Sequence, residues 1–160
     1  MFARLTLTLI ALAFLWSCTQ TDRMNPFADL ESRFGALPPD YRRWIDRGME
    51  LPDETFFWVR KSDWGSSPEV MYGISGDSSI TIMNLEQRRD YIPHDLVLIG
   101  DDGVAATWIA IGVSGARSGK IFYIDANGAV PDAPLGYKHI YEIAPSFTSW
   151  LAEMNANPDE

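Results

Sequence analysis

Ile92-Pro93-His94-Asp95-Leu96-Val97-Leu98-Ile99-Gly100 opens the stretch on which the fold turns. It continues as AATWIAIGVSG over 105–115 and closes as GKIFYID over 119–125. Leu96 to Ile99 is an unbroken apolar run closed by Gly100. A run that short, bounded by Pro93 and Gly100, predicts a strand buried on both faces rather than a helix. In Ala105–Val113, residues Thr107, Ile109, Ile111 and Val113 share one face and Trp108 takes the other. In Ile121–Asp125, Phe122 and Ile124 oppose Tyr123. Ser114 to Gly119 has the glycine content of a hairpin loop. Asp125-Ala126-Asn127-Gly128 reads as a turn whose Asn127 and Gly128 tolerate positive φ. Three consecutive antiparallel strands therefore form the centre of the domain.

Working outward, Asn25-Pro26 predicts a helix start, with Phe27, Leu30 and Phe34 as its stripe and Gly35 as its stop. Leu37-Pro38-Pro39-Asp40 announces a second helix, with Tyr41, Trp44 and Ile45 inward, and Gly48 ends it. Arg42, Arg43 and Arg47 lie off that stripe; of two readings, a site for an acidic group and a solvated helix face, the second is the expectation. Phe56–Val59 and Val70–Ser75 predict short strands, and Lys61–Pro68 between them a loop. Ile80–Leu85 is expected to be extended, followed by a short helix over Glu86–Tyr91. Pro145 and Ser146 open a last helix whose Phe147, Trp150, Leu151 and Met154 recur at helical spacing. The expected fold is α+β: a mostly antiparallel sheet of about five to six strands packed against N-terminal and C-terminal helices.

Residues 1–17 read as a targeting segment. Met1 to Arg4 is a short positive region, and Leu5 to Trp16 is an apolar run shorter than the roughly 20 residues that span a bilayer. Leu15-Trp16-Ser17-Cys18 resembles a bacterial lipobox, although Trp16 is bulky for one. Cys18, the only cysteine, is then the lipidation site. The alternative is an ordinary secretory leader with an incidental cysteine. Two acyl chains on Cys18 suffice for stable anchoring. Residues 18–25 form the lipidated cysteine and tether, 26–154 the folded domain, and 155–160 a flexible tail. Thr19 in place of aspartate favours the outer membrane over the inner, and the domain is expected to face the periplasm.

The chain has 160 residues, 46% hydrophobic, with net charge −9. Loss of a leader whose only charged side chain is Arg4 takes −9 to −10. That balance disfavours nucleic acid and anionic lipid headgroups as partners, because both are polyanions, and favours a basic partner or no charged partner at all. One cysteine excludes an internal disulfide or cysteine zinc site. His94-Asp95 with Asp101-Asp102 is a weak metal pattern. Gly112-Val113-Ser114-Gly115 leads into a hairpin, not a nucleophile elbow, and Gly115–Gly119 lacks the phosphate-loop lysine and helix. No catalytic residue, metal, cofactor or small-molecule substrate is expected. The candidate protein-binding residues are the charged and aromatic side chains of loops assigned to one sheet edge: Asp63, Trp64, Asp101, Asp102 and Arg117. The competing account of Trp64 is a ring folded back on the sheet.

Four marks occur in order: Leu37-Pro38-x-Asp40-Tyr41; Ile92-Pro93 with Leu98-Ile99-Gly100; Gly119-Lys120-Ile121-Phe122-Tyr123-Ile124-Asp125; and Ile143-Ala144-Pro145-Ser146-Phe147-x-x-Trp150-Leu151. Together they resemble the SUKH superfamily, the Smi/Knr type domain, over roughly Phe27 to Met154. The chain departs from that pattern in four places. Asp46-Arg47-Gly48 stands for Asn-Gly-Gly, Gly103-Val104-Ala105-Ala106 stands where an acidic Gly-Asp loop is usual, Ile124 stands before Asp125 where a tryptophan is usual, and Trp150 replaces a phenylalanine. The resemblance implies a non-enzymatic protein binder. Many bacterial members look like immunity proteins that neutralise a cognate toxin, so the expected role is an envelope immunity lipoprotein. The alternative is an envelope scaffold or accessory lipoprotein with no toxin partner.

Overall fold

The computed structural model describes residues 25–52, 55–59, 65–88, 91–130 and 133–154. The leader, Cys18, Thr19, Asp63, Trp64 and the 155–160 tail lie outside the described residues.

Helices α1 (Ala28–Phe34) and α2 (Pro39–Asp46) come first. Strands β1 (Phe57–Trp58) and β2 (Gly65–Ser66) pair antiparallel as a separate two-stranded sheet. Then follow β3 (Val70–Met71), α3 (Ile80–Arg88), β4 (Leu96–Asp101), β5 (Thr107–Gly112), β6 (Ile121–Asp125), β7 (Ile140–Ala144) and α4 (Phe147–Glu153). The main sheet has the order β3-β4-β5-β6-β7, with every neighbour antiparallel.

The central strands form where the sequence places them. Leu96, Val97, Leu98 and Ile99 are fully buried, so both faces of β4 are covered. Their apolar burial is the main stabilising term, at about 25 cal/mol per Å². The register between β4 and β5 shifts between Leu98 and Gly100. Ile99 is the extra residue of that bulge, which bends the strand. At the far end of β5, a Cβ on Gly112 would overlap the Arg117 carbonyl. Only glycine lets the β5–β6 loop fold back there, closed by Gly119 N–H donating to Gly112 O at 2.9 Å. In the next turn Gly128 takes φ 79°, while Asn127 keeps negative φ.

The second helix buries its predicted stripe, Tyr41, Trp44 and Ile45; of the first stripe, Phe27 at the N-cap and Leu30 are buried and Phe34 is half-buried against the core. Asn25 Oδ1 accepts from Phe27 N–H at 3.1 Å and steadies the entry to α1. Gly35, at φ 100°, ends α1 against Val113. An aromatic chain then crosses the core from α2 to the sheet. Tyr41 meets Phe147 (4.8 Å), Phe147 meets Trp150 (5.6 Å), Trp150 meets Phe57 (5.8 Å), and Phe57 meets Tyr123 (5.8 Å). Each such pair contributes about 0.5–1.5 kcal/mol beyond its buried area.

Besides β2, a two-residue strand within Lys61–Pro68 where a loop is expected, drawn in by its pairing with Phe57–Trp58, two elements differ from expectation. Ile80–Leu85, expected extended on its β-branched content, is helical through Arg88. The decisive residue is Asn84, 1% exposed. Its Nδ2 donates to Leu98 O (2.9 Å), and Leu98 N–H donates to its Oδ1 (2.8 Å). The side-chain amide thus continues the ladder along β4 beyond the short β3. Helical spacing puts Ile80 and Asn84 on one side to do this, and tertiary contact overrides local propensity. The other difference is β7, which the sequence reading did not assign. It is an edge strand with a register shift opposite Ile121/Phe122, so its burial does not alternate cleanly.

Candidate functional site

The turn from Asp101 to Ala106 links β4 to β5, and its two carboxylates are held by hydrogen bonds from four sides. Asp101 Oδ2 accepts from Tyr72 OH (2.7 Å), and its Oδ1 accepts from Gly103 N–H (3.0 Å). Asp102 Oδ2 accepts from Ser66 Oγ (2.6 Å) and Tyr123 OH (2.7 Å). Its Oδ1 accepts from Val104 N–H (3.2 Å) and lies within reach of Thr107 Oγ1. Thr107 has one hydroxyl proton to share between Asp102 and the Val104 carbonyl at 2.7 Å. Gly103 takes φ 73°, and a Cβ there would overlap the Glu69 carboxylate. Ala106 also takes left-handed φ, 60°, a strained conformation for a residue with a Cβ.

Burial is the largest single influence on Asp102 and pushes its carboxyl up. The hydrogen bonds from Ser66, Thr107, Tyr123 and Val104 outweigh it, leaving the group below the usual carboxylate range. Burial first, and then the Asp102 carboxylate, raise Tyr123; burial and Asp101 do the same for Tyr72. A carboxylate that resists protonation beside phenols that resist ionisation is the reverse of an acid–base pair poised near neutrality. The hydrogen bonds fix the charge of Asp102 and the shape of the turn.

The turn and the strand ends paired with it carry both exposed apolar side chains and carboxylates. Val104 is 55% exposed and Val70 37%. Glu69 joins the turn through its N–H to Asp101 O (2.9 Å), and Asp125 pairs with Thr107 across β5–β6. Among the described residues, none of Glu69, Asp101, Asp102 and Asp125 has a cationic partner.

Arg117 does not belong to this group. It lies in the 3-10 turn Gly115–Arg117 between β5 and β6. Its Nη1 donates to Asp95 Oδ2 (3.0 Å), and its guanidinium stacks 3.8 Å over the Tyr137 ring. Tyr137 OH closes the bracket onto Asp95 Oδ1 (2.7 Å). Asp95 precedes β4 and Asp101 ends it, so six strand residues, roughly 20 Å, separate the two clusters. The expectation that Arg117 shares an edge with Asp101 and Asp102 is corrected here: they occupy opposite ends of the sheet. His94 is likewise at the far end from Asp101 and Asp102, and no group of metal-ligating side chains forms among the described residues. Asp63 and Trp64 lie outside the described residues, but Ser66, two positions after Trp64, is tied to Asp102. Sequence reasoning missed Ser66, Tyr72, Thr107 and Tyr123, because no local pattern marks a hydroxyl that reaches a carboxylate from another strand.

No curated protein and no solved structure matches the chain. The profile of the SMI1 / KNR4 family (SUKH-1) matches residues 25–153, which is nearly all of the described fold. With the antiparallel sheet, its flanking helices and this coverage in hand, the chain belongs to the SMI1 / KNR4 family, SUKH-1.

Proposed function

We propose that this protein is a non-enzymatic, protein-binding lipoprotein of the immunity type, which neutralises a cognate toxin at the cell envelope. Family membership supports a protein partner and an immunity-type role in general. Anchoring through Cys18, periplasmic exposure and preference for the outer membrane rest on the leader sequence.

One observation carries the choice of surface. The Asp101–Ala106 turn exposes Val104, with Val70 exposed on the strand paired to Asp101, beside carboxylates that no described cation neutralises. Such a surface suits a partner with basic groups beside an apolar contact. The hydrogen bonds to Asp102 hold it in one shape before any partner arrives, which lowers the ordering cost of binding.

The test is co-expression of the full chain with the toxin encoded beside it, delivered to the periplasm. Growth is expected to be rescued, and Val104→Arg combined with Glu69→Lys is expected to abolish the rescue while the protein still accumulates. No rescue and no complex with the toxin overturns the toxin-neutralising role. Crosslinking that recovers only resident envelope proteins points instead to an accessory lipoprotein.

A further inference from the structure

The described fold begins at Asn25, and that residue is not isolated from the rest of the molecule. Arg42 of α2 donates to Asn25 Oδ1 at 3.4 Å, lies 4.8 Å from the Phe27 ring centroid, and pairs with Glu31 at 3.3 Å. The point where the chain enters the domain therefore lies against α2. Seven residue steps lead from Cys18 to Asn25, and at about 3.5 Å each they reach at most about 25 Å in any conformation. Whatever face surrounds Asn25 is held within that distance of the bilayer.

That face is unlike the rest of the chain in charge. From Asn25 to Gly48, four arginines balance four carboxylates, whereas the whole chain carries −9. Arg42 and Arg33 are paired with Glu31 and Asp29. Arg43 and Arg47 are exposed and have no carboxylate partner among the described residues. They are four residues apart on the side of α2 that faces away from Tyr41, Trp44 and Ile45. The negative end of the helix dipole favours a cation there. Two like charges at that spacing repel, and a counter-anion outside the chain relieves the repulsion.

From these placements we infer that the α1–α2 face rests on the membrane, where Arg43 and Arg47 meet the phosphates of anionic phospholipid. The inference rests on the anchoring read at Cys18. It adds an orientation to it. The α1–α2 link touches the sheet at Val113, through Gly35, and α2 reaches Thr148 just beyond β7. Both contacts are at the end of the sheet remote from Asp101. An anionic surface attracts the arginines at about fivefold in local concentration each, and repels Glu69, Asp101, Asp102 and Asp125. Over a Debye length of about 8 Å only the nearest face feels the full effect. Both forces turn the acidic Val104 surface outward.

The test uses the full chain processed with its own leader and reconstituted in vesicles with and without phosphatidylglycerol. Because Cys18 is acylated in that form, a cysteine introduced at Asp46→Cys or Ala105→Cys is the only free thiol to label. Quenching by a headgroup-attached quencher is expected to be several-fold stronger at position 46 than at 105 when phosphatidylglycerol is present. High salt, or Arg43→Glu with Arg47→Glu in the same background, is expected to erase the difference. Equal quenching at both positions, or a difference indifferent to charge reversal and lipid charge, overturns the orientation. Mass spectrometry of the Cys18 peptide separates the two ideas. An acylated chain without orientation overturns this inference alone; an unacylated chain free of the vesicles overturns the anchoring and the orientation together.

Discussion

Asp40, in the first turn of α2, caps a helix that begins more than a hundred residues later: its Oδ2 accepts from Thr148 N–H at 3.0 Å and from Thr148 Oγ1 at 3.1 Å. The same carboxylate accepts from Tyr41 N–H through Oδ1 (3.0 Å). Ser146 provides the local cap of α4, accepting from Ser149 N–H at 3.0 Å. One end of α4 is thus closed partly by its own sequence and partly by α2, and an edge-to-face Tyr41–Phe147 contact continues the junction inward. Asp40→Ala is expected to destabilise by about 1–2 kcal/mol, the usual range for a lost cap. Asp40→Asn, which keeps an acceptor, is expected to lose less. Ser146→Ala in the same background is expected to be non-additive, since both act on one helix end. Chemical denaturation of the single and double variants measures each term.

Asn84 is the second long-range fastener. Replacing it with alanine leaves Leu98 N–H and C=O without the partners they have at the edge of β4. Each buried group left unsatisfied costs about 1–3 kcal/mol. Asn84→Ala is therefore expected to be among the most destabilising single changes, at about 3 kcal/mol. Amide exchange should show the loss first at Leu98, before the β5–β6 pairing is affected. A destabilisation below 1 kcal/mol, or protection at Leu98 unchanged, contradicts this account of α3.

The carboxylate of Asp102 gives the protein a defined acid sensitivity. Its folded-state value lies below the ordinary 3.8. A depressed carboxyl contributes stability that is present above the unfolded value and lost as pH falls through the folded one. The window therefore opens just below pH 4 and extends downward. Asp102→Asn is expected to lower stability at neutral pH and to flatten the loss in that window. Tyr123→Phe, which removes one donor to Asp102, is expected to cost about 1–1.5 kcal/mol. Urea midpoints taken from neutral pH downward decide this; parallel curves for wild type and Asp102→Asn refute it.

Tyr41 raises the opposite expectation. It is fully buried, its hydroxyl has no partner among the described residues, and burial pushes its phenol far above the ordinary 10. Removing an unsatisfied buried hydroxyl relieves its desolvation, so Tyr41→Phe is expected to leave stability unchanged or raise it by about 1 kcal/mol. A raised phenol contributes stability present below pH 10 and lost above it. The variant should accordingly lose less stability in alkali than the wild type. A clear drop in thermal midpoint for Tyr41→Phe rules out this reading.

The parts of this structure that were legible in sequence are those whose burial is decided by neighbours in the chain. The run Leu96–Ile99, the alternation of Ile121–Asp125 and the stripes of Tyr41/Trp44/Ile45 and Phe147/Trp150 each announce their own environment. Ile80–Leu85 was not legible, because Asn84 looks like an ordinary polar residue until Leu98 is placed beside it. Strand β7 was obscured by the shift at Ile121/Phe122. In the candidate site, Asp101 and Asp102 were visible as charges, but the hydroxyls that hold them came from other strands. Grouping Arg117 with them overlooked a signal the sequence did contain. In a meander, turns before and after one strand lie at opposite ends, and β5 separates these two.

That separation sets up a direct test of the proposed binding surface. If the partner docks on the Asp101–Ala106 turn, the carboxylates govern encounter and the exposed apolar side chains govern residence. Glu69→Lys and Asp125→Lys are expected to slow association by about tenfold together and to reduce its salt dependence, with dissociation little changed. Val104→Asp is expected to speed dissociation, at a cost of about 1–2 kcal/mol or more. Arg117→Ala opens the bracket with Asp95 and Tyr137, yet lies roughly 20 Å away along β4, so partner kinetics should stay at the wild-type values. Surface plasmon resonance with the cognate toxin reads all four variants in one format. If Arg117→Ala weakens binding and Val104→Asp does not, the partner uses the Asp95–Tyr137 end instead, and the acidic turn is a structural clasp only.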